Sequence, residues 1–217
     1  MRPIRAIILD FDGVLLESES AKSATFEEVF KAYPTYSAAM QEYNRAHSTL
    51  PRREKFEHCV SVIMGRAGDA ATVDDMVRQF AELVVDRVER CDEVPGATAF
   101  LAEFSTRVPL YVSSVTPEQE LRAVLDRRGW MSKFSGVFGD PPTPKVDAIQ
   151  TVLRLQRLLP DDVVFIGDSP GDLRAAHTTG VEFVARNSGF AFPPLLANSV
   201  YPDLRAIADV LRPRLSA

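Results

Sequence analysis

Cysteine is scarce in this chain: two of 217 residues, Cys59 and Cys91. They stand far apart in segments of helical spacing and lack metal-ligand spacing. A disulfide framework or a thiolate metal site is therefore not indicated, and both read as reduced thiols. Long hydrophobic runs are also missing, since no apolar stretch is long enough to span a bilayer. The N-terminus, Met1-Arg2-Pro3-Ile4-Arg5, leads into a strand without a signal-peptide pattern. These absences predict a cytoplasmic protein with no membrane partner. Basic excess is lacking too: 25 Lys and Arg stand against 30 Asp and Glu, a formal net charge of −5. That balance gives no electrostatic footprint for nucleic acid, so a small anionic partner would need local Lys and Arg, or a metal. Repeats and low-complexity tracts are absent as well, and the 46% hydrophobic content is enough for a packed core.

The stretch that is present and calls for explanation is Ile7-Ile8-Leu9-Asp10-Phe11-Asp12-Gly13-Val14. An aliphatic run suited to a strand buried on both faces ends in two carboxylates one residue apart and a glycine. In open α/β sheets, ligands bind at the carboxyl ends of the strands, which makes this acidic pair a candidate reaction centre.

Downstream, Phe26, Val29, Phe30 and Tyr33 recur at i, i+3, i+4 and i+7, and Met76, Phe80, Leu83, Val84 and Val88 repeat the helical pattern. Helices are predicted near 19–33, 37–47, 52–64 and 73–90, broken at Tyr33-Pro34, Leu50-Pro51 and Gly65 to Gly68. From Val94-Pro95-Gly96 onward, strands at 109–113, 137–138, 163–166 and 181–184 alternate with helices near 97–105, 117–128, 145–158, 171–178 and 203–211. Alternation of this kind predicts parallel strands with crossover helices. The strand ending in Asp10 must join that later sheet, or its backbone groups would go unpaired. The fold class is thus α/β, a Rossmann-like parallel sheet in 1–13 and 95–217 with an all-α insertion over 14–94.

Three further polar positions fall where strands run out. After Leu110-Tyr111-Val112 come Ser113 and Ser114, which pleat alternation points to opposite faces. Thr116, Pro117 and Gln119 have the spacing of a capping box for the next helix, which leaves the serines unassigned. Lys145 follows Thr143-Pro144 in a first helical turn, where the dipole disfavours a cation and an anionic neighbour is expected. Finally, Val163-Val164-Phe165-Ile166 leads into Gly167-Asp168-Ser169-Pro170-Gly171-Asp172. Ser169 can cap, Pro170 can stand at N1 and Asp172 at N3, whereas Asp168 has no such local explanation. Clustered carboxylates repel unless protonated or bound to a cation, and an all-oxygen set suits Mg²⁺ with a substrate phosphate.

Taken in order, Asp10-Phe11-Asp12-Gly13-Val14, a strand-end serine, Lys145 and Gly167-Asp168-Ser169-Pro170-Gly171-Asp172 resemble the four motifs of the haloacid dehalogenase-like (HAD) superfamily. The helical block falls where that family carries an α-helical cap. The resemblance implies that Asp10 is the nucleophile, forming an aspartyl-phosphate, and that Asp12 is the general acid/base. It implies Mg²⁺ held by Asp10, the main-chain carbonyl of Asp12 and Asp168, with Asp172 in support. Ser114, two residues before Thr116-Pro117, is implied as the phosphate-binding hydroxyl, Lys145 as the residue that orients the nucleophile, and Phe11 and Gly13 as part of the phosphate-binding loop.

Dehalogenation is argued against, because a halide leaving group needs no proton and the family's dehalogenases lack an acid at the place of Asp12. Glu17 departs from the shorter aspartate of many relatives. Arg52-Arg53-Glu54-Lys55-Phe56 resembles the cap's specificity segment, which makes Arg52 and Arg53 substrate-binding candidates. The implied function is a Mg²⁺-dependent phosphatase for a small phosphorylated metabolite, phosphoglycolate or a sugar phosphate. A β-phosphoglucomutase-like phosphosugar mutase is the alternative, and a catalytically silent HAD-fold binding protein the third reading.

Overall fold

A computed structural model of the chain describes residues 3–47, 50–140 and 143–215. They form two compact units, Met1–Glu17 with Asp92–Ala217, and Ser18–Cys91.

The first unit is built on six parallel strands: β1 (Ala6–Leu9), β2 (Leu110–Ser114), β3 (Gly136–Gly139), β4 (Val163–Gly167), β5 (Glu182–Arg186) and β6 (Val200–Tyr201). Their order across the sheet is β3-β2-β1-β4-β5-β6. Ile8 lies opposite Tyr111 on one side and Phe165 on the other, so β1 is a central strand, and its four residues are fully buried. Residues of this kind stand up to burial on both faces because they are β-branched or aliphatic and carry no polar group to desolvate. Strand order reverses between β1 and β4, which places a crevice at their carboxyl ends.

Helices α5 (Ala97–Phe104), α6 (Glu118–Arg127), α7 (Lys145–Gln156), α8 (Pro170–Thr179) and α9 (Leu204–Leu211) connect or flank the strands. Ala6, Ile8, Tyr111 and Phe165 pack with Ile149 and Val152 of α7 and Ala175 and Ala176 of α8 in one core cluster. The connecting segments also pair. Leu16 bridges Glu93 in antiparallel fashion, Glu17 N–H donates to Asp92 O (3.0 Å), and Val94 N–H donates to Leu15 O (3.0 Å).

Two helix starts differ from expectation by one residue. Pro117 and Pro144, expected at N1, occupy the N-cap positions of α6 and α7 with ψ of 136° and 151°. Those extended angles make each helix begin one residue later. Thr116 is therefore not the cap of α6, which has no side-chain cap at all. The expected order around α8 does hold: Ser169 caps, Pro170 opens the helix, and Asp172 closes a capping box. The two-residue edge strand β6 had no counterpart in the sequence reading.

The second unit is all-helical: α1 (Glu19–Phe30), α2 (Ser37–Ala46), α3 (Arg52–His58) and α4 (Ala70–Glu89). The helix expected over 52–64 changes at Cys59 into a π-helical turn, Cys59–Ile63, closed by Met64 N–H to Cys59 O at 2.9 Å. The helix expected from 73 begins at Ala70, because Asp69 caps it, accepting from Thr72 N–H at 3.1 Å. Phe26 is the hub of the interior, with ring centroids 4.5 Å from Phe80, 5.2 Å from Phe56 and 5.9 Å from Phe30. The guanidinium of Arg52 lies 4.1 Å from the Phe80 ring centroid, and Arg53 pairs with Asp74 at 2.7 Å.

Among these rings sits Lys55, 5% exposed, its Nζ 3.0 Å from Asn44 Oδ1 and 4.8 Å from the Phe26 centroid. Burial disfavours the ammonium and lowers the pKa to about 8, despite the opposing influence of Glu19. A depressed lysine means the unfolded chain binds more protons between pH 8 and the ordinary value of 10.5. Stability therefore rises with pH across that window, and the penalty is fully present below it.

Two outcomes follow for the helical unit. Lys55→Met flattens the rise in stability between about pH 8 and 10.5 and raises stability at pH 7 by up to about 3 kcal/mol, read from denaturant unfolding at each pH. Phe26→Ala costs about 3–5 kcal/mol in the same experiment, because three ring contacts are lost and the cavity cannot fully collapse.

Candidate active site

The carboxyl ends of β1, β2 and β4 carry the polar groups of interest, all within the α/β unit. Asp10 follows β1, and its N–H donates to Ile166 O (2.8 Å), so the β1–β4 ladder continues to the residue itself. Asp168 follows β4 and Asp172 projects from the first turn of α8. Oxygens of Asp10, Asp168 and Asp172, all three buried, lie within 4.8 Å of one another.

Three carboxylates this close require countercharge. Lys145, at the start of α7, supplies part of it: its Nζ is 2.8 Å from Asp10 Oδ2 and forms a second short ion pair with Asp172 Oδ1. The anionic neighbour expected of a lysine in a first helical turn is thus present twice. Burial alone would lower the lysine pKa, but Asp10 and Asp172 outweigh it and hold the ammonium well above the usual range. Burial and the neighbouring Asp172 push Asp10 well above the ordinary carboxylate value, with Lys145 opposing. The same two causes push Asp168 up to about 7. One ammonium against three carboxylates leaves the cluster short of positive charge. The donor set is oxygen only, which fits a hard divalent cation such as Mg²⁺.

Asp172 fills the capping role expected of it and also faces the lysine. Its Oδ2 accepts from Ser169 N–H (3.0 Å), Ser169 Oγ (2.7 Å) and Asp168 N–H (3.2 Å), which fixes the α8 turn, while Oδ1 faces Lys145.

Asp12 stands apart from this group. Its Oδ2 accepts from Thr116 Oγ1 at 2.9 Å and from Ser114 Oγ at 3.3 Å. Pleat alternation does separate the two serines: Ser114 reaches Asp12, whereas the buried Ser113 Oγ has no hydrogen-bond partner among the described residues. Thr116 N–H donates to Ser114 Oγ (3.0 Å).

In the loop after β1, Phe11 N–H donates to Asp10 Oδ1 (2.7 Å) and Gly13 N–H to Leu16 O (2.8 Å). Both expected phosphate-loop N–H groups thus have partners within the chain. Gly13 has φ of +70°, and a Cβ built on it would lie 1.9 Å from Asp168 Oδ2. Glycine is required there on both counts, conformation and space. Arg52 and Arg53 belong to the helical unit, with the partners described above.

Two residues at the site were not singled out from the sequence. Thr116 had been assigned to capping. Arg186, at the end of β5 and 7% exposed, donates through Nη1 to Gly13 O (3.1 Å) and Glu17 Oε2 (3.0 Å), and through Nε to Pro202 O (3.3 Å). Glu17, longer than the aspartate of many relatives, reaches this guanidinium with both oxygens. No local signal marks the pair, whose members are 169 residues apart.

A parallel sheet with acids and a lysine gathered at its switch point, and a helical insertion after the first acid, defines a Rossmann-like α/β protein with an oxygen-rich site suited to a cation. The chain matches the haloacid dehalogenase-like hydrolase family model over residues 7–186 and belongs to that family. It is 28% identical to the phosphoglycolate phosphatase of Rhodospirillum rubrum, over 95% of this chain and 90% of that protein. It is 27% identical to a phosphorylated carbohydrates phosphatase of Thermotoga maritima, over 82% of this chain and 83% of that one. Among solved structures, a haloacid dehalogenase-like hydrolase of Streptococcus pneumoniae superposes with a TM-score of 0.72 at 22% identity, covering 95% of this chain and 98% of the other. A magnesium-bound hydrolase of Bacillus subtilis gives 0.72 at 16% identity, covering 98% of this chain and all of that one. Among the described residues no helix is long and apolar enough to cross a membrane.

Substituting Gly13→Ala forces a methyl group against Asp168 Oδ2 and strains the backbone. If the cluster holds a divalent cation, titration calorimetry is expected to show its affinity reduced by about tenfold or more, the scale on which disturbing a ligand's support acts.

Proposed function

We propose that the chain is a Mg²⁺-dependent phosphatase that hydrolyses a small phosphorylated metabolite, phosphoglycolate or a sugar phosphate, through an aspartyl-phosphate on Asp10. The observation that carries this reading is the division of the two acids after β1. Asp10 is gathered with Lys145, Asp168 and Asp172, while Asp12 is held outside that cluster by hydroxyl donors. An acid inside the cluster is suited to attack, and one outside it to proton exchange. The names of the Rhodospirillum and Thermotoga relatives support phosphate monoesters as the substrate class.

In the first step a carboxylate oxygen of Asp10 attacks phosphorus as the bond to the ester oxygen breaks. The carboxyl proton of Asp12 passes to the departing alkoxide. In the second step the Asp12 carboxylate takes a proton from water, whose oxygen attacks the same phosphorus, and the Asp10–phosphorus bond breaks to release phosphate. Lys145 opposes the effect of burial and of Asp172 on Asp10 and fixes its orientation. Ser114 Oγ is assigned to a phosphate oxygen, as are the loop groups of Phe11 and Gly13, which would have to exchange their present partners. Asp10, Asp168 and the Asp12 main-chain carbonyl, with Asp172 in support, would hold Mg²⁺, which would supply positive charge to the phosphoryl oxygens. Asp12 also supports a phosphatase over a dehalogenase, because an alkoxide needs the proton a halide does not. Substrate selection is assigned to the helical unit, with Arg52 and Arg53 as its candidate cations.

Phosphate release from a metabolite panel is the test. Turnover should require Mg²⁺, stop with chelator, and fall by roughly three orders of magnitude or more in Asp10→Asn. Full turnover in that variant rejects the nucleophile. In a parallel assay primed with a sugar bisphosphate, phosphosugar isomerisation should be far slower than phosphate release, and the reverse ratio would establish the mutase.

A further inference from the structure

We infer that Arg186 is a positioning residue for the loop that carries Asp10 and Asp12: its guanidinium, anchored on Glu17, fixes the Gly13 peptide and through it the set of the two acids. The ordering of the loop stands on contacts within the α/β unit alone. Its consequence for turnover rests on the reaction proposed above.

The loop closes on itself. The N–H groups of Leu15 and Leu16 donate to Phe11 O (2.9 and 3.3 Å), that of Gly13 to Leu16 O (2.8 Å), and that of Glu17 to Asp92 O (3.0 Å). Gly13 is its soft point. The φ of +70° calls for a residue without a side chain, and such a residue offers the least resistance to rotation of the peptide units on either side. The preceding unit, which holds the Asp12 carbonyl, is tied through Gly13 N–H to Leu16. The following unit has a long bond from Val14 N–H to Phe11 O (3.4 Å) and a shorter one from Arg186 Nη1 to Gly13 O (3.1 Å). Arg186 thus supplies the firmer restraint on that side of the glycine.

Arg186 ends β5, one step beyond Ala185, which lies opposite Gly167 of β4. It emerges at the sheet end where Asp168 stands, and Gly13 is already packed against Asp168 Oδ2. A buried guanidinium needs an anion, and Glu17 provides it through both carboxylate oxygens, one of them at 3.0 Å from Nη1. Nε is turned to Pro202 O (3.3 Å). With the planar fork held at Nε and at both Nη groups, it cannot rotate away from Gly13 without giving up Glu17. When Gly13 N–H turns to a phosphate oxygen, as assigned above, its bond to Leu16 is lost. The Arg186 bond then continues to hold the residue against Asp168.

The test has two readouts on the full chain. Amide hydrogen exchange, followed by mass spectrometry without metal or substrate, should be faster by about tenfold or more over residues 11–17 in Arg186→Met, with β4 unchanged. With Mg²⁺ and p-nitrophenyl phosphate, kcat should fall by about 10- to 100-fold, the scale of a small misplacement of reacting groups. Arg186→Lys should recover little of either, because an ammonium is a point donor that cannot span two carbonyls and both oxygens of a carboxylate.

Faster exchange confined to residues 200–211 would mean that Arg186 serves the β6 edge through Pro202, and would overturn the inference. So would a lysine variant equal to wild type, or a loosened loop with kcat within about threefold of wild type. If Arg186→Met does not melt cooperatively, Glu17→Ala, which removes the guanidinium's anchor from a half-exposed position, is read in the same way. A wild-type protein that releases no phosphate from any ester would reject the reaction proposed above and the effect on turnover with it. The exchange measurement still decides, in that case, whether Arg186 orders the loop.

Discussion

Lys145 lies between Asp10 and Asp172, and much of the α/β unit can be understood as the means of bringing these charges together. Three buried carboxylates within 4.8 Å form an arrangement that electrostatics opposes. It persists because each acid is delivered by an element whose position is set by apolar packing. Asp10 extends a strand buried on both faces, Asp168 extends the neighbouring strand, and Asp172 is locked into the α8 capping box by Ser169. The hydrophobic sheet thus holds the acids where their mutual repulsion would otherwise drive them apart. The single ammonium offsets only part of that repulsion. The remaining deficit explains why Asp10 and Asp168 bind protons more readily than ordinary carboxylates, and why a divalent cation fits the cluster.

Around this charged group the supporting contacts are backbone geometry as much as side chains. Gly13 lets the chain turn with φ of +70° directly against Asp168. Its carbonyl is held from the far side by Arg186, which also grips Glu17. A guanidinium suits this place because it donates in several fixed directions at once, to two carbonyls and a carboxylate. The loop that carries both acids is therefore braced from β4 by close packing and from β5 by hydrogen bonds.

The parts of this arrangement visible in the sequence are those that follow from local rules. A buried strand announces itself by an unbroken aliphatic run, and an acid at its tip stands out because nothing local accounts for it. Asp10 and Asp168 were legible for that reason, as was the demand of Lys145 for an anion. The Ser169-Pro170-Asp172 cap was also legible, since its geometry depends on three adjacent positions. What stayed hidden depended on partners distant in the chain or on a choice between two local solutions. Arg186 and Glu17 meet only through the sheet. Thr116 had the spacing of a capping box, yet Pro117 took an extended ψ and α6 began one residue later, which freed the hydroxyl for Asp12. The π-helical turn at Cys59 preserves an apolar spacing close to that of an α-helix, and β6 is too short to carry a pattern.

On the proposed mechanism, the contrast between the two acids after β1 lets one motif perform two tasks. Asp10 and Asp12 are separated by one residue and by very different surroundings. Asp10 is buried among like charges, which raises its affinity for a proton, and is tied to an ammonium that opposes this and fixes its orientation. Asp12 meets neutral hydroxyls, which can donate to its carboxyl in either protonation state, whereas an ammonium would favour the ionised form. The proton exchange proposed for Asp12 calls for a partner that tolerates both states. Hydroxyl donors on a rigid turn satisfy that requirement, and the spacing Ser114-Val115-Thr116-Pro117 provides two of them on one oxygen.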